Sequence, residues 1–325
     1  MNQSQSSSLS SLSSSLSFNI DIVTNSLLSL GNEINSKSPT LGALIIPAVI
    51  ATCFIVPATV ILEYIVRQPW ARKYYIQYND KPRWGSSHHD SDRATKNDDT
   101  TADSSSTSTS KKMNAKHLAP TMLHDDDLMD AVTTVLAVAI MGPIALYILG
   151  VQDFLLWENV TDVSELSVIS FLFDCFVYFV FMDLLSWTSH YACHHNDFLW
   201  KHVHAQHHTK HTPTALTAGV GNFLGPILSV SLPNVVAIWV LEPHALVMYA
   251  TMCFYTVLTI YAHSGMSIPA LNFAFGGFIP FRATPVLHDR HHRFSGRDAT
   301  DMGFMFWIWD WLAGTITETA METCS

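Results

Sequence analysis

The sequence predicts an all-α chain that folds as a helical bundle within a membrane, and three observations predict it. Five long apolar runs punctuate the 325 residues. Charged residues make up 14% of the chain, against roughly 25% in soluble globular proteins. Of its 17 histidines, eight crowd between His190 and His211, beside the end of one apolar run. A mean hydropathy of +0.20 points the same way.

The elements follow in order. Residues 1–40 are rich in Ser, Asn and Leu, with neither a basic leader nor a cleavage-like site, and read as a disordered tail. The run 41–66 is long enough, at about 1.5 Å per residue, to cross a hydrocarbon core of about 30 Å. Pro47 and Pro57 are the places where it could bend. The segment 41–85 is thus a first span with a following cytosolic stretch. The 86–112 insert of Ser, Thr, Asp, Asn and Lys is too polar to bury a core and is expected to be disordered. A second apolar run, 129–151, makes 113–165 a second span with a lumenal loop. Further runs at 166–187, 220–241 and 245–262 fall in a catalytic region spanning 166–318, and 319–325 is a tail.

Charge sets orientation and excludes one class of partner. Arg67, Arg72, Lys73, Lys81 and Arg83 follow the first run, which argues that this side is cytosolic. The 152–165 loop carries no Lys or Arg and contains the sequon Asn159-Val160-Thr161, which agrees with a lumenal position. Counted onward, the dense histidine motifs all fall on the cytosolic side. The net charge of −10 comes largely from local acidic clusters such as Asp98 with Asp99 and residues 125–127, so nucleic acid is excluded as a partner. The five cysteines have no CxxC pair and no regular spacing, and three lie inside apolar runs, so no disulfide framework is expected.

Four histidine pieces carry the chemistry. His190 and His194 stand four apart where the third run leaves the membrane, on one face of a continuing helix. His204, His207 and His208 follow, with spacing that is expected to put three imidazoles on one stripe; His288, His291 and His292 repeat that spacing, and His263 sits alone at the end of the fifth run. Nine imidazoles are too many for one ion of about four ligands, so two metals sharing the set is the economical reading. Imidazole suits zinc, copper, iron and nickel, and ligand type alone does not choose among them. A lone membrane-end histidine is usually interfacial, and only the repeated spacing moves the reading to metal. His195, His202 and His211 are read as neighbours, and His88, His89, His117, His124 and His244 as inert.

These motifs resemble the membrane fatty acid hydroxylase superfamily, which includes sterol 4-methyl oxidases, sterol side-chain hydroxylases and sterol desaturases. The resemblance covers roughly 174–316. It rests on Asp183 with His190 and His194, Trp200-Lys201 with His204, His207 and His208, His263-Ser264-Gly265, His288-Asp289 with His291 and His292, and the ending Trp309-Asp310-Trp311-Leu312-Ala313-Gly314-Thr315. It departs from the family where Asn-Tyr-Gly reads Asp301-Met302-Gly303, and where Ala313 replaces Phe.

The resemblance implies transmembrane helices with a cytosolic helical cap, and a non-haem di-iron site whose ligands and catalytic residues are His190, His194, His204, His207, His208, His263, His288, His291 and His292. It also implies dioxygen as co-substrate, a membrane lipid or sterol as substrate, the endoplasmic reticulum as location, and electrons from an external NAD(P)H-dependent reductase and a b-type cytochrome. The activity it implies is hydroxylation or oxidation of a sterol or sterol precursor, with desaturation or squalene-type epoxidation as the alternative within the class. Carboxylates should hold the imidazole tautomers, and Asp183 and Asp289 are nearest in sequence; their plainer reading is helix-end carboxylates. Asp174 lies mid-run, where lipid exposure is costly, and is expected to face the interior. A histidine-rich metal transporter or sensor is the competing class. Its sites should lie near the membrane midplane, whereas these histidines sit at or beyond span ends.

Overall fold

The computed structural model describes residues 25–26, 29–34, 36–76, 129, 132–133, 135–151, 153–155, 157–164, 166–210, 213–222, 224–295 and 300–318. The 86–112 insert, His88, His89, His117, His124 and His211 lie outside the described residues. Among the described residues there is no strand, only isolated antiparallel bridges at Tyr75 with Met266 and Arg282 with Phe306. Helical backbone is present at 29–34 and 36–37, so the stretch expected to be a disordered tail contains helix before residue 40.

Among the described residues, the helices that frame the site are α1 (Pro39–Val66), α2 (Gly142–Val151), α3 (Val168–His195), α4 (Leu224–Leu241), α5 (Ala245–Ala262), α6 (Pro285–Arg290) and α7 (Ile308–Ala313). Four of them, α1, α3, α4 and α5, are long and apolar enough to cross a membrane. Helix α1 runs unbroken through Pro47 and Pro57. The second predicted span is described in part, with helical backbone at 129, 132–133 and 135–151. Within it α2 is preceded by a π-helical turn at Leu136–Met141 and contains Gly150 at φ 87°. Pro143 has no N–H to give to the preceding turn, and the ladder widens just before it. The same pairing recurs in α4, where a π-helical turn at Ile227–Ser231 precedes Pro233.

The chain divides into two compact units. The first comprises Met1–Ile55, Val135–Ser186 and Phe223–Tyr255. It exposes large apolar side chains along its helices, among them Ile169 (82%), Leu172, Phe173 and Phe176 on α3 and Trp239 and Val240 on α4. Each would lose about 1.5–3 kcal/mol in water relative to an apolar setting, so this surface suits lipid. Inside the unit the Tyr178 hydroxyl donates to Asn234 Oδ1 at 2.7 Å, and Phe179 packs on Phe254 and Tyr255. Asp174 on α3 is half-buried. Glu242, left-handed at φ 45°, stops α4 before Pro243, and the His244 ring accepts the Leu246 N–H that opens α5.

The second unit comprises Val56–Thr134, Trp187–Asn222 and Thr256–Ser325. Its segment after α1 is tied to the one after α5: Ile76 N–H donates to Gly265 O, Ser267 N–H to Tyr74 O, and Val66, Ala71, Tyr75, Met266 and Ile268 pack as one apolar cluster. All nine histidines of the repeated motifs fall in this unit.

Candidate metal centre

Helix α3 does not stop at Trp187, where the apolar run ends, but continues to His195, so His190 and His194 are delivered on consecutive turns of one rod. Asn196 ends it and restarts the chain, its side chain accepting the Phe198 and Leu199 N–H groups. A π-helical turn at Trp200–His204 and a 3-10 turn at His207–Thr209 carry the next three histidines. His263 follows the last residue of α5, with Gly265 at φ 74° turning the chain away. Helix α6 and the π-helical turn at His291–Ser295 carry the last three.

These residues assemble into two groups, one of His190, His194, His204, His208 and His291, the other of His207, His263, His288 and His292, with the ligand atoms of each group within 4.8 Å of one another. In the first, His190 Nε2 lies 2.9 Å from His204 Nε2, 3.2 Å from His194 Nε2 and 3.1 Å from His291 Nε2, and His208 Nε2 lies 3.0 Å from His204 Nε2. In the second, His263 Nε2 is 2.9 Å from His288 Nε2 and 3.4 Å from His207 Nε2.

The expectation of one stripe per HxxHH motif is corrected. His204 and His208 go to the first group while His207 goes to the second; in the repeat, His288 and His292 go to the second and His291 to the first. On an ideal α-helix i and i+4 share a face while i+3 is offset to the other side, and here the passage from a π-helical to a 3-10 turn at 204–207, and from α6 to a π-helical turn at 290–291, keeps i+3 apart from i and i+4. One motif therefore addresses two points, and the two copies exchange which point receives the pair.

Backbone carbonyls orient four of the rings. His190 Nδ1–H donates to Met302 O (3.3 Å), His291 to Thr300 O (2.8 Å), His207 to Val220 O (3.0 Å) and His263 to Thr259 O (2.7 Å). With the proton held on Nδ1, the Nε2 lone pair points into the group. The nearest carboxylates expected for this task, Asp183 and Asp289, are both fully buried. His195 and His202 stay outside both groups; both are exposed, and His195 Nδ1 meets Tyr191 O at 3.0 Å. His244 joins Asp162 O at 2.6 Å in the first unit.

Burial also fixes the charge state. Loss of solvent lowers the basicity of His263 to about 3 and of His291 to about 4, and holds His204, His288 and His292 well below the ordinary 6.5, with His207 and His208 lowered as well. These imidazoles are neutral at physiological pH and keep a lone pair to give. Clustered lone pairs repel, and an unpaired buried polar atom costs about 1–3 kcal/mol. His292 is 1% exposed and neither of its ring nitrogens has a hydrogen-bond partner among the described residues, although its ring sits 4.5 Å from that of His207 and 4.8 Å from that of His208. Two cations taking the converging lone pairs remove both costs, so the donor set fits a metal pair.

Two features beside the groups carry no role in the sequence reading. The Phe304 ring lies 4.8 Å from that of His190 and 4.9 Å from that of His288, one residue from each group. Asp310 is fully buried and accepts from Trp187 Nε1, Met302 N, Gly303 N and Thr315 Oγ1. Burial raises its carboxyl above the ordinary carboxylate value, and those four donors pull against the rise. The signal in the sequence was the WDxLFGT-like ending, which names the position without its partner.

Part of the chain is similar to known proteins. The Fatty acid hydroxylase family model matches residues 175–315. Very-long-chain aldehyde decarbonylase GL1-11 of Oryza sativa subsp. indica is 31% identical over 138 residues, 42% of this chain and 50% of the relative. Methylsterol monooxygenase 2-2 of Arabidopsis thaliana is 28% identical over 138 residues, again 42% and 50%. Sphinganine C4-monooxygenase 1 of Arabidopsis thaliana is 26% identical over 145 residues, 44% of this chain and 54% of the relative. The chain thus spans about half the length of the curated relatives it matches. No solved structure matches it.

Proposed function

Because its fatty acid hydroxylase domain at residues 175–315 makes this chain a member of the membrane fatty acid hydroxylase superfamily, we propose that it is a membrane-embedded, dioxygen-dependent lipid oxygenase that holds two non-haem irons. The observation that carries this reading is the convergence of nine imidazoles into a group of five and a group of four. His190, His194, His204, His208 and His291 would hold one ion, and His207, His263, His288 and His292 the other. A pair of redox-active ions, when bound, supplies with dioxygen the oxidising power to attack an unactivated C–H bond.

The chain's own groups supply the rest. The carbonyls of Met302, Thr300, Val220 and Thr259 hold protons on Nδ1 so that the rings cannot turn away. The Phe304 ring, against His190 and His288, keeps water from both groups. Asp183 and Asp289, buried on the same helices as ligating histidines, are proposed to support them, and Asp174 to serve as an interior hydrogen-bonding group of α3. The substrate is proposed to be a sterol or sterol precursor, reached from the bilayer. The name of the methylsterol monooxygenase relative agrees with a sterol, and that of the sphinganine C4-monooxygenase relative with oxygen insertion into a long-chain lipid. Electrons would come from an NAD(P)H-dependent reductase and a b-type cytochrome. Arg67, Arg72 and Lys73, directly after α1, favour a cytosolic face, and the endoplasmic reticulum is the proposed membrane.

The test is lipid profiling of cells lacking the chain and then regaining it, with metal analysis of the purified protein. Two irons per chain and one labelled atom from dioxygen retained in a sterol product are expected. His207→Ala or His291→Ala should fail to restore the profile. Restoration by either, or reversible metal flux in vesicles without oxygen uptake, would refute the reading; a new double bond without label would make it a desaturase.

A further inference from the structure

The two groups are oriented by different parts of the chain. His263 is held by the carbonyl of its own helix, four residues back, and His207 by Val220. In the group of five, both oriented rings depend on one short segment: Thr300 O takes His291 and Met302 O takes His190. That segment belongs to no helix. Between the two carbonyls Asp301 adopts a left-handed φ of 55°, and its carboxylate takes the Thr317 N–H at 2.8 Å and the Thr317 hydroxyl.

What holds the far end is Asp310. Its Oδ1 accepts from Met302 N–H (3.2 Å), Thr315 Oγ1–H (2.6 Å) and Trp187 Nε1–H (3.2 Å), and its Oδ2 from Gly303 N–H (2.6 Å). Met302 is thereby gripped by its N–H while its C=O grips a ring, and Trp187 lies three residues before His190 on α3. Gly303 gives an independent reason to read this as a built contact. A Cβ there would meet Phe306 O at 2.7 Å and Asp310 Oδ2 at 3.0 Å, so the carboxylate comes this close only because residue 303 has no side chain.

We propose that Asp310 is a positioning residue for one of the two metal centres: through Met302 and Gly303 it sets the carbonyls that orient His190 and His291, whereas toward the other group it reaches only the ring contact of Phe304, next to Gly303, with His288, which orients no ring by a hydrogen bond. The inference rests on the dimetal reading above. Its effect is therefore selective between the centres, which a merely stabilising buried aspartate would not be.

The experiment is cobalt loading of the purified full chain in detergent, read as cobalt per chain and as visible absorption, beside melting of the metal-free form. The parent should take up two cobalt ions. Asp310→Ala should weaken one of the two sites about 10–100-fold, the range for loss of a ligand's supporting partner, leaving about one ion per chain at limiting cobalt. Asp310→Asn, which keeps the oxygen taking three of the four bonds, should recover most of the second. Combined with His263→Ala, Asp310→Ala should remove nearly all binding; combined with His194→Ala it should empty the five-imidazole centre and leave about one ion per chain, held by His207, His263, His288 and His292.

Should Asp310→Ala destabilise the metal-free chain too far to purify, Thr315→Val, which removes one bond to the carboxylate, and Gly303→Ala provide the same selectivity test. Retention of both ions with parent affinity in these variants would overturn the proposal. So would parallel loss of both ions in step with melting temperature. A parent that binds no metal pair sinks the dimetal reading and this inference with it, whereas a parent with two ions and variants without selective loss sinks this inference alone.

Discussion

The two imidazole groups share their chemistry and differ in how they are supported. In the group of four, Thr259 on α5 holds His263, while Val220, in an irregular turn before Gly221, holds His207. The group of five joins residues 101 positions apart, His190 and His291, and takes both orienting carbonyls from the irregular 300–302 segment. One centre is thus redundant in ligands and takes both orienting carbonyls from a single loop; the other is sparing in ligands and takes them from two separate places, one of them on α5. A fifth imidazole offsets a loosely held frame, because loss of one ring still leaves about the four ligands that satisfy many sites.

That contrast can be broken most directly by removing rings. His263→Ala leaves three imidazoles at its centre and should abolish metal there, with product formation falling more than about 100-fold, beyond the usual cost of losing a supporting partner. His194→Ala leaves four and should keep two ions per chain at saturating metal. Equal metal loss in both, measured by elemental analysis, would remove the distinction.

Acid should come next in size. In the metal-free chain His291 and His263 have folded-state values of about 4 and about 3, against an ordinary 6.5. Above pH 6.5 neither state binds these protons. As pH falls below 6.5 the unfolded chain takes them up and the folded chain does not, so stability falls with pH at about 1.4 kcal/mol per unit for each ring. The loss continues down to about pH 4 for His291 and about pH 3 for His263. Denaturant titration from pH 7 to pH 4 measures it, and a flat profile would mean that the rings are not buried as neutral bases.

Gly221, at φ 147°, sharpens the comparison from the other side. Gly221→Ala imposes about 1–3 kcal/mol of backbone strain beside the Val220 carbonyl that holds His207. It should weaken cobalt binding at the four-imidazole centre and leave the five-imidazole centre unchanged. The smallest effect is expected outside both. Tyr178→Phe leaves Asn234 Oδ1 without its donor, should cost about 1 kcal/mol in thermal stability, and should not alter metal content.

Four apolar spans and nine histidines could be read directly, because apolar length and i, i+4 spacing are local properties of the chain. The widening of the helical ladder before Pro143 could not, since Pro143 and Gly150 act on a ladder whose geometry depends on its neighbours. The split of each HxxHH motif could have been worked out from helical angles, yet which copy sends its pair to which point depends on how the two copies face each other. The orienting carbonyls were invisible for a simpler reason. Every residue has a carbonyl, so nothing in the residue type marks Thr300, Met302, Val220 or Thr259, and carboxylates next in sequence drew the expectation instead.

Solvent, donor chemistry and the number of imidazoles are written in the chain, because they follow from side-chain composition and short-range spacing. The division of nine rings into five and four, the carbonyl that fixes each tautomer and the place of Asp310 behind the loop bearing two of those carbonyls come from folding alone. Those depend on residues as many as 123 positions apart, such as Trp187 and Asp310. Pairing at that range is selected by packing and by the need to satisfy every buried polar group, and no local pattern encodes it.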